Sequence, residues 1–257
     1  SLEKQDWSGR TVKDEPVPQW DCARVVVWLR SHASEEVRAG KARFGIVTGQ
    51  ALGIPNARLR PLARKIKRDH QRALDLWETG IREAQLLACF SDEPGKVTVQ
   101  QALHWAEAFD SWDIVDHAAA LFIEARLHQE LISLFVEDDR EYVRRAGFAM
   151  IAWGALHLKK EPDTIATPWL SLIENHADDD RNFVKKAVNW ALRQIGKRSL
   201  NLHAPALELA QKLERSNNRS ERWIGRDAAK ELSSQSTLDR LAKKAAQQSA
   251  KGSSSFP

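Results

Sequence analysis

The sequence predicts an all-α chain of stacked helix pairs, and three observations carry that expectation. Segments of one pattern recur: Ile81-Arg82-Glu83-Ala84, Val143-Arg144-Arg145-Ala146 and Val184-Lys185-Lys186-Ala187, with a looser echo at Ile224-Gly225-Arg226-Asp227. The last three start at 143, 184 and 224, which are 41 and 40 residues apart, while the 62 residues between 81 and 143 leave room for a divergent unit around Trp105 to Leu121. No run alternates apolar and polar residues as a half-buried strand does, and the repeated segments contain no proline. A period of about 40 with two helices per unit is the signature of HEAT or armadillo repeats. Such a solenoid offers a concave surface, and the recurring basic positions Arg144, Arg145, Lys185 and Lys186 are placed to line it.

Taken in order, residues 1–20 are polar, contain Pro16 and Pro18, and read as a flexible N-terminal arm. The repeat domain is expected over 21–235. Its first helix is predicted over Trp20 to Ala33, with Val25, Trp28 and Leu29 inward. Asn56 is positioned to cap a helix beginning near Ala57. Arg58 to Arg72 holds seven basic residues against the single Asp69, which is either a solvated helix face or a phosphate contact. Asp138-Asp139 and Asp178-Asp179-Asp180 precede basic helices, where carboxylates suit the positive helix N-terminus, so capping explains them without a metal. Residues 236–257 are low in complexity and read as a disordered basic tail.

The stretch from Arg181 to Arg198 organises the chain. It carries six basic residues and no acidic one. Val184, Val188, Ala191 and Ile195 share one helix face, and Lys186, Trp190, Arg193 and Lys197 repeat the spacing two residues later. Two residues turn a helix by about 200°, so the second stripe lies opposite the apolar one. Trp190 is then either an indole covered by Lys and Arg stems or an aromatic platform between cations, as nucleic-acid binders use. The stripe alone supports both.

Composition bounds the partners. Lys and Arg outnumber Asp and Glu by 39 to 35, so the location of charge matters more than its total. Cys22 and Cys89 make no metal spacing and read as reduced, buried thiols of an intracellular protein. No leader-peptide pattern is visible, and the longest apolar run, Phe148 to Leu156, is far short of the ~20 residues of a membrane span. A soluble intracellular protein is expected, cytoplasmic, or nuclear in a eukaryote. The eight histidines show no zinc spacing, and no phosphate loop, Ser-His-Asp set or reactive-cysteine context is present. An enzyme of this sequence must therefore work through a carboxylate. Asp116, four residues after Trp112, is the candidate, with a buried Trp and a capping Asp as the ordinary alternative.

Several long stretches resemble the AlkD-type DNA alkylation repair family: DSWDIVD (Asp110 to Asp116), YVRRAGFAMIAW (Tyr142 to Trp153) and NFVKKAVNWALRQIGKR (Asn182 to Arg198). RFGI (Arg43 to Ile46), LGIPNARLRPLARKI (Leu52 to Ile66) and LWETGIREAQLLA (Leu76 to Ala88) fit as well, so the resemblance covers roughly residues 22 to 233. It implies a HEAT-like glycosylase that excises cationic alkylated purines, such as 3-methyladenine and 7-methylguanine, from double-stranded DNA without a base pocket. It also implies Asp116 as the catalytic carboxylate, Trp112 and Trp190 flanking the lesion's sugar, and Arg145 and Arg193 gripping DNA, in a DNA-associated monomer with no metal and no cofactor. Lys186, Arg144, Lys185 and Lys197 are the further expected DNA contacts. Two other readings stand beside it, a HEAT-like module that binds damaged or distorted DNA without cutting, and a protein scaffold. A carboxylate facing phosphates favours the enzyme, because a pure binder has no use for one.

Overall fold

The computed structural model of the protein describes residues 15–44 and 50–253. Residues 1–14 of the expected arm, Gly45 and Ile46 of the RFGI stretch, and residues 254–257 of the expected tail lie outside the described residues. Among the described residues there are fourteen α-helices, two short 3-10 turns and no strand. The all-α expectation is met. The chain divides into two compact units, 1–93 and 94–257.

The first unit holds α1 (Cys22–Ser31), α2 (Glu35–Ala42), α3 (Asn56–Ile66), α4 (His70–Glu78) and α5 (Arg82–Ser91). α1 starts two residues later than expected, because the Asp21 carboxylate accepts the Arg24 N–H at 2.8 Å and fixes the helix start there. Asn56 does not cap α3. It is the first helical residue, Pro55 holds the cap position, and no side chain accepts from the first turn.

Arg72 shows why a count of basic residues misjudges this unit. Its buried guanidinium donates to the carbonyls of Ile66 and Lys67 at the open end of α3, and to those of Pro18 and Trp20. The cation thus satisfies helix-end acceptors and ties residues 18–20 of the expected flexible arm to the unit. Glu83, fully buried, accepts the N–H groups of Leu52, Gly53 and Ile54, which shapes the turn leading into α3.

The second unit holds α6 (Val99–Ala106), α7 (Trp112–Glu124), α8 (His128–Val136), α9 (Glu141–His157), α10 (Thr167–His176), α11 (Asn182–Gly196), α12 (Leu200–Glu214), α13 (Arg219–Leu232) and α14 (Gln235–Ser253). Its packing is that of a helix-pair repeat. α8 packs on α9, α10 on α11 and α12 on α13, while α7, α9, α11 and α13 pack side by side in that order. The repeated apolar positions are buried: Val143 and Val184 in the first turn of α9 and α11, and Ile224 in the second turn of α13.

Two glycines of this unit let paired helices approach closely. A Cβ on Gly147 of α9 would meet the Val136 backbone nitrogen at 2.8 Å, and one on Gly225 of α13 would meet the Glu214 nitrogen at 2.2 Å. Neither contact could relax, since backbone is the obstacle on both sides.

Two further expectations differ. Asp138 and Asp179 do not cap the first turns of the basic helices. Each accepts the N–H of the arginine two residues on, Arg140 at 2.9 Å and Arg181 at 3.2 Å, and also grips that arginine's guanidinium. Where a disordered tail was expected from 236, the chain forms α14. That helix packs on α12 and α13 and buries Thr237 and Leu241. Its Ala, Gln and Lys are good helix formers, and Leu241 is the apolar side chain that it buries. No helix of the described residues is long and apolar enough to cross a membrane.

Candidate active site

Asp116 stands on α7, five residues past the N-cap Ser111. Arg145 on α9 and Lys186 on α11 stand equally far past their N-caps, Arg140 and Arg181. α9 packs against both α7 and α11, which brings the first two of these positions into contact. Arg145, itself buried, closes a two-pronged ion pair on Asp116, with Nε to Oδ1 at 3.0 Å and Nη2 to Oδ2 at 2.9 Å. Its remaining Nη1 donates to the Phe183 carbonyl at 2.7 Å, which fixes the guanidinium plane against α11.

The Asp116 side chain retains 16% exposure. Burial pushes its carboxyl above the ordinary aspartate value, and the Arg145 charge and hydrogen bonds pull it partly back. Each carboxylate oxygen gives Arg145 one lone pair, so two of about four acceptor sites remain for a water or a developing positive charge.

The aromatic side of the site runs through Trp153. Its indole N–H donates to the Asp116 backbone carbonyl at 3.0 Å, and its ring meets Trp190 edge-on, centroids 5.3 Å apart at 83°. Trp190 is half-buried, as its place opposite the apolar stripe requires. Trp112, also half-buried, lies one turn before Asp116 on α7. Asp113 turns elsewhere, as its position predicts: it is buried, accepts the Ser111 hydroxyl at 3.1 Å and the Ile114 N–H at 2.8 Å, and so belongs to the start of α7.

The basic stretch is less electropositive than its sequence reads. Arg193 donates to Glu231 at 2.6 Å and approaches Asp227 at 3.8 Å, and Lys197 donates to the other Glu231 oxygen at 2.6 Å. Burial alone would push the Glu231 carboxyl up, but the hydrogen bonds from Lys197 and Arg193 outweigh it and hold it low. Arg198 is consumed by Asp163 and four backbone carbonyls, and Arg181 by Asp179. Arg144 bonds Asp179 at 2.8 Å and the Val136 carbonyl at 2.8 Å, bracing α9 against the entry to α11. Burial opposes ionisation of Asp179, yet its arginines win and bring it down to about 2. Lys185 lies over the Trp223 ring at 4.8 Å. Lys186 is exposed, 6.0 Å from the Phe183 centroid. Among the described residues no cluster of His, Cys, Asp and Glu could hold a metal ion.

The family model of the DNA alkylation repair enzyme matches residues 27–232. The chain belongs to that family. None of the curated proteins matches it in sequence. One solved structure that it resembles is described as representing a new family of proteins related to the HEAT-like repeat DNA glycosylases, with affinity for branched DNA structures. The TM-score is 0.69 at 18% identity, over 81% of this chain and 94% of that one. At that identity the likeness establishes the fold, which is the HEAT-like repeat one.

Within this family member, the structure joins Asp116 and Arg145 directly and Trp190 to them through Trp153. It places Arg193 and Lys197 together on Glu231, and Arg144 and Lys185 in contacts with neighbouring repeats. Trp153 is the site residue to which the sequence does not point. It ends the YVRRAGFAMIAW stretch, a little over two turns beyond Arg145, and that spacing on one helix is the signal available for it.

Proposed function

We propose that this member of the DNA alkylation repair family is a DNA N-glycosylase that removes cationic N-alkylated purines, of the 3-methyladenine and 7-methylguanine type, from duplex DNA. The observation that carries the reading is the Asp116 carboxylate. It is oriented by Arg145, keeps unused lone pairs, lies one turn from Trp112 and connects through Trp153 to Trp190.

A purine alkylated on a ring nitrogen already bears positive charge, so it departs without an acid. The C1′–N bond breaks with its electron pair going to the base, which leaves neutral. Water adds its oxygen to C1′ and loses a proton, which Asp116 accepts and returns to solvent. Before water adds, the sugar is oxocarbenium-like, and a fixed carboxylate lowers its energy without reorganising. Indole faces beside the sugar act in the same direction, since their negative quadrupole attracts a cation. Lys186 and Arg193 are the proposed phosphate contacts, with Arg193 and Lys197 exchanging Glu231 for phosphate.

The test is to incubate the purified protein with methylated duplex DNA and measure released bases. Free 3-methyladenine or 7-methylguanine is the expected product, and intact DNA overturns the reading. The second reading, a module that binds distorted or branched DNA without excision, has its own observation. Both Asp116 oxygens are engaged by Arg145, as in a purely structural ion pair. It is the outcome if DNA is bound and no base appears.

A further inference from the structure

The cation–Trp–cation–cation stripe of α11 occurs a second time. On α13, Arg219, Trp223, Arg226 and Lys230 fall at i, i+4, i+7 and i+11, the spacing of Lys186, Trp190, Arg193 and Lys197. All four are exposed, and they lie opposite the buried Ile224, Gly225, Ala228 and Leu232. The two stripes differ in what surrounds them. Arg193 and Lys197 are tied to Glu231, whereas Arg219, Arg226 and Lys230 form no ion pair among the described residues. Of the three acids on α13, Asp227 is spent on Asn189 and Arg193, Glu231 on Arg193 and Lys197, and Glu221 stands on the side opposite the stripe, where its charge acts on Lys212 of α12. Of the tryptophans among the described residues, Trp223 is the one that is exposed, at 40%. Lys185 of α11 lies over its ring.

We propose that this face of α13 is a binding site for an unpaired strand of nucleic acid, with a base stacked on Trp223 and its flanking phosphates on Arg219, Arg226 and Lys230. The inference rests on the reading that the chain acts on DNA and names which part of the DNA this face takes. Cations alone would serve a duplex, whose bases are stacked on one another and offer no face. An exposed indole face standing among cations can stack in nucleic acid with a base that has left the duplex stack. Lys185 lies over one face of the ring, so the base stacks on the other face with a further positive charge close by. Gly225 lets α13 lie directly against α12, so the Trp223 face is turned away from the packed side of the repeat.

The experiment compares two labelled DNAs by fluorescence anisotropy, a blunt duplex and the same duplex with a single-stranded tail of about ten nucleotides, within the usual site sizes. The expected result is tighter binding of the tailed DNA, by about ten-fold, the lower part of the range for one stacked base. Trp223→Ala should bring the tailed DNA to the blunt value and leave the blunt duplex nearly unchanged, while Trp223→Phe keeps most of the preference. Arg226→Gln with Lys230→Gln should weaken the tailed complex and flatten its salt dependence, which keeps the test valid if the alanine variant folds poorly. No preference for the tail in the parent protein, or an equal loss on both DNAs, overturns the site. Base release from methylated duplex is measured on the same preparation. Release without a tail preference sinks this site and spares the glycosylase reading, and a Trp223-dependent preference without release does the reverse.

Discussion

Replacing Arg145 by Met keeps much of the volume and removes the guanidinium. In the parent it makes two hydrogen bonds to Asp116 and one to the Phe183 carbonyl, all at 3.0 Å or less. Breaking a buried ion pair from one side costs about 3–5 kcal/mol, because the other charge is left unpaired. Asp116 keeps 16% exposure, so the low end applies, and the stranded carbonyl adds about 1 kcal/mol. A loss of about 3–4 kcal/mol at pH 8 follows.

The loss must depend on pH. Asp116 already has a raised carboxyl, and removing Arg145 removes what pulls it down, so the folded value rises further above the unfolded one. A group of that kind costs stability in full above its folded pKa, and the cost fades as pH falls through that value toward the unfolded one, because the protonated acid needs no counter-charge. Urea unfolding of the parent and Arg145→Met at pH 8 and pH 5 should therefore show a smaller difference at pH 5. Adding Asp116→Asn to Arg145→Met should recover part of the loss at pH 8. An equal loss at both pH values, with no relief from the double variant, refutes the ion-pair account and leaves Arg145 acting through Phe183 and packing alone.

Three further outcomes are expected. Trp190→Ala should cost about 1–2 kcal/mol, well under the ~3–5 of a fully buried Trp truncation, since the ring is half-buried and edge-on to Trp153; a thermal melt checks it. Asp179, held down to about 2, contributes stability present above the unfolded value of about 4 and lost as pH falls from there toward 2. After discounting for solvent screening this is about 1 kcal/mol, and an acid titration of Asp179→Asn should lack it. Asp113→Asn should lower the melting temperature more than it lowers excision, because Asp113 is built into the start of α7.

The repeat was legible because it is carried by local periodicity. Val143, Val184 and Ile224 recur within the first two turns of their helices and are buried there, and the apolar stripe of α11 predicts its packed face residue by residue. Charge was not legible in the same way. The window 181–198 contains no acid, yet Glu231, Asp227, Asp179 and Asp163 reach its cations from the neighbouring segments, so the field of a helix face depends on pairings that no single stretch displays. Arg72 and Arg198 went further and turned inward onto carbonyls. Trp153 escaped notice because a tryptophan amid Ala, Met and Ile reads as core, and what marks it is an indole hydrogen bond to the backbone of another helix. α14 was hidden by composition, since one docked leucine does not stand out in a run of Ala, Gln and Lys.

Single-turnover release of 7-methylguanine from duplex DNA, measured side by side for the parent, Asp116→Asn and Asp113→Asn, bears on the whole assignment. The parent should release base. Asp116→Asn should bind the DNA as well or slightly better, having lost one repulsion with phosphate, and should release base about 10²-fold more slowly or worse, the size expected when a preorganised charge at the transition state is removed. Asp113→Asn should stay near the parent rate. If Asp116→Asn excises at the parent rate, Asp116 is not the catalytic carboxylate, and the ion pair with Arg145 is structural.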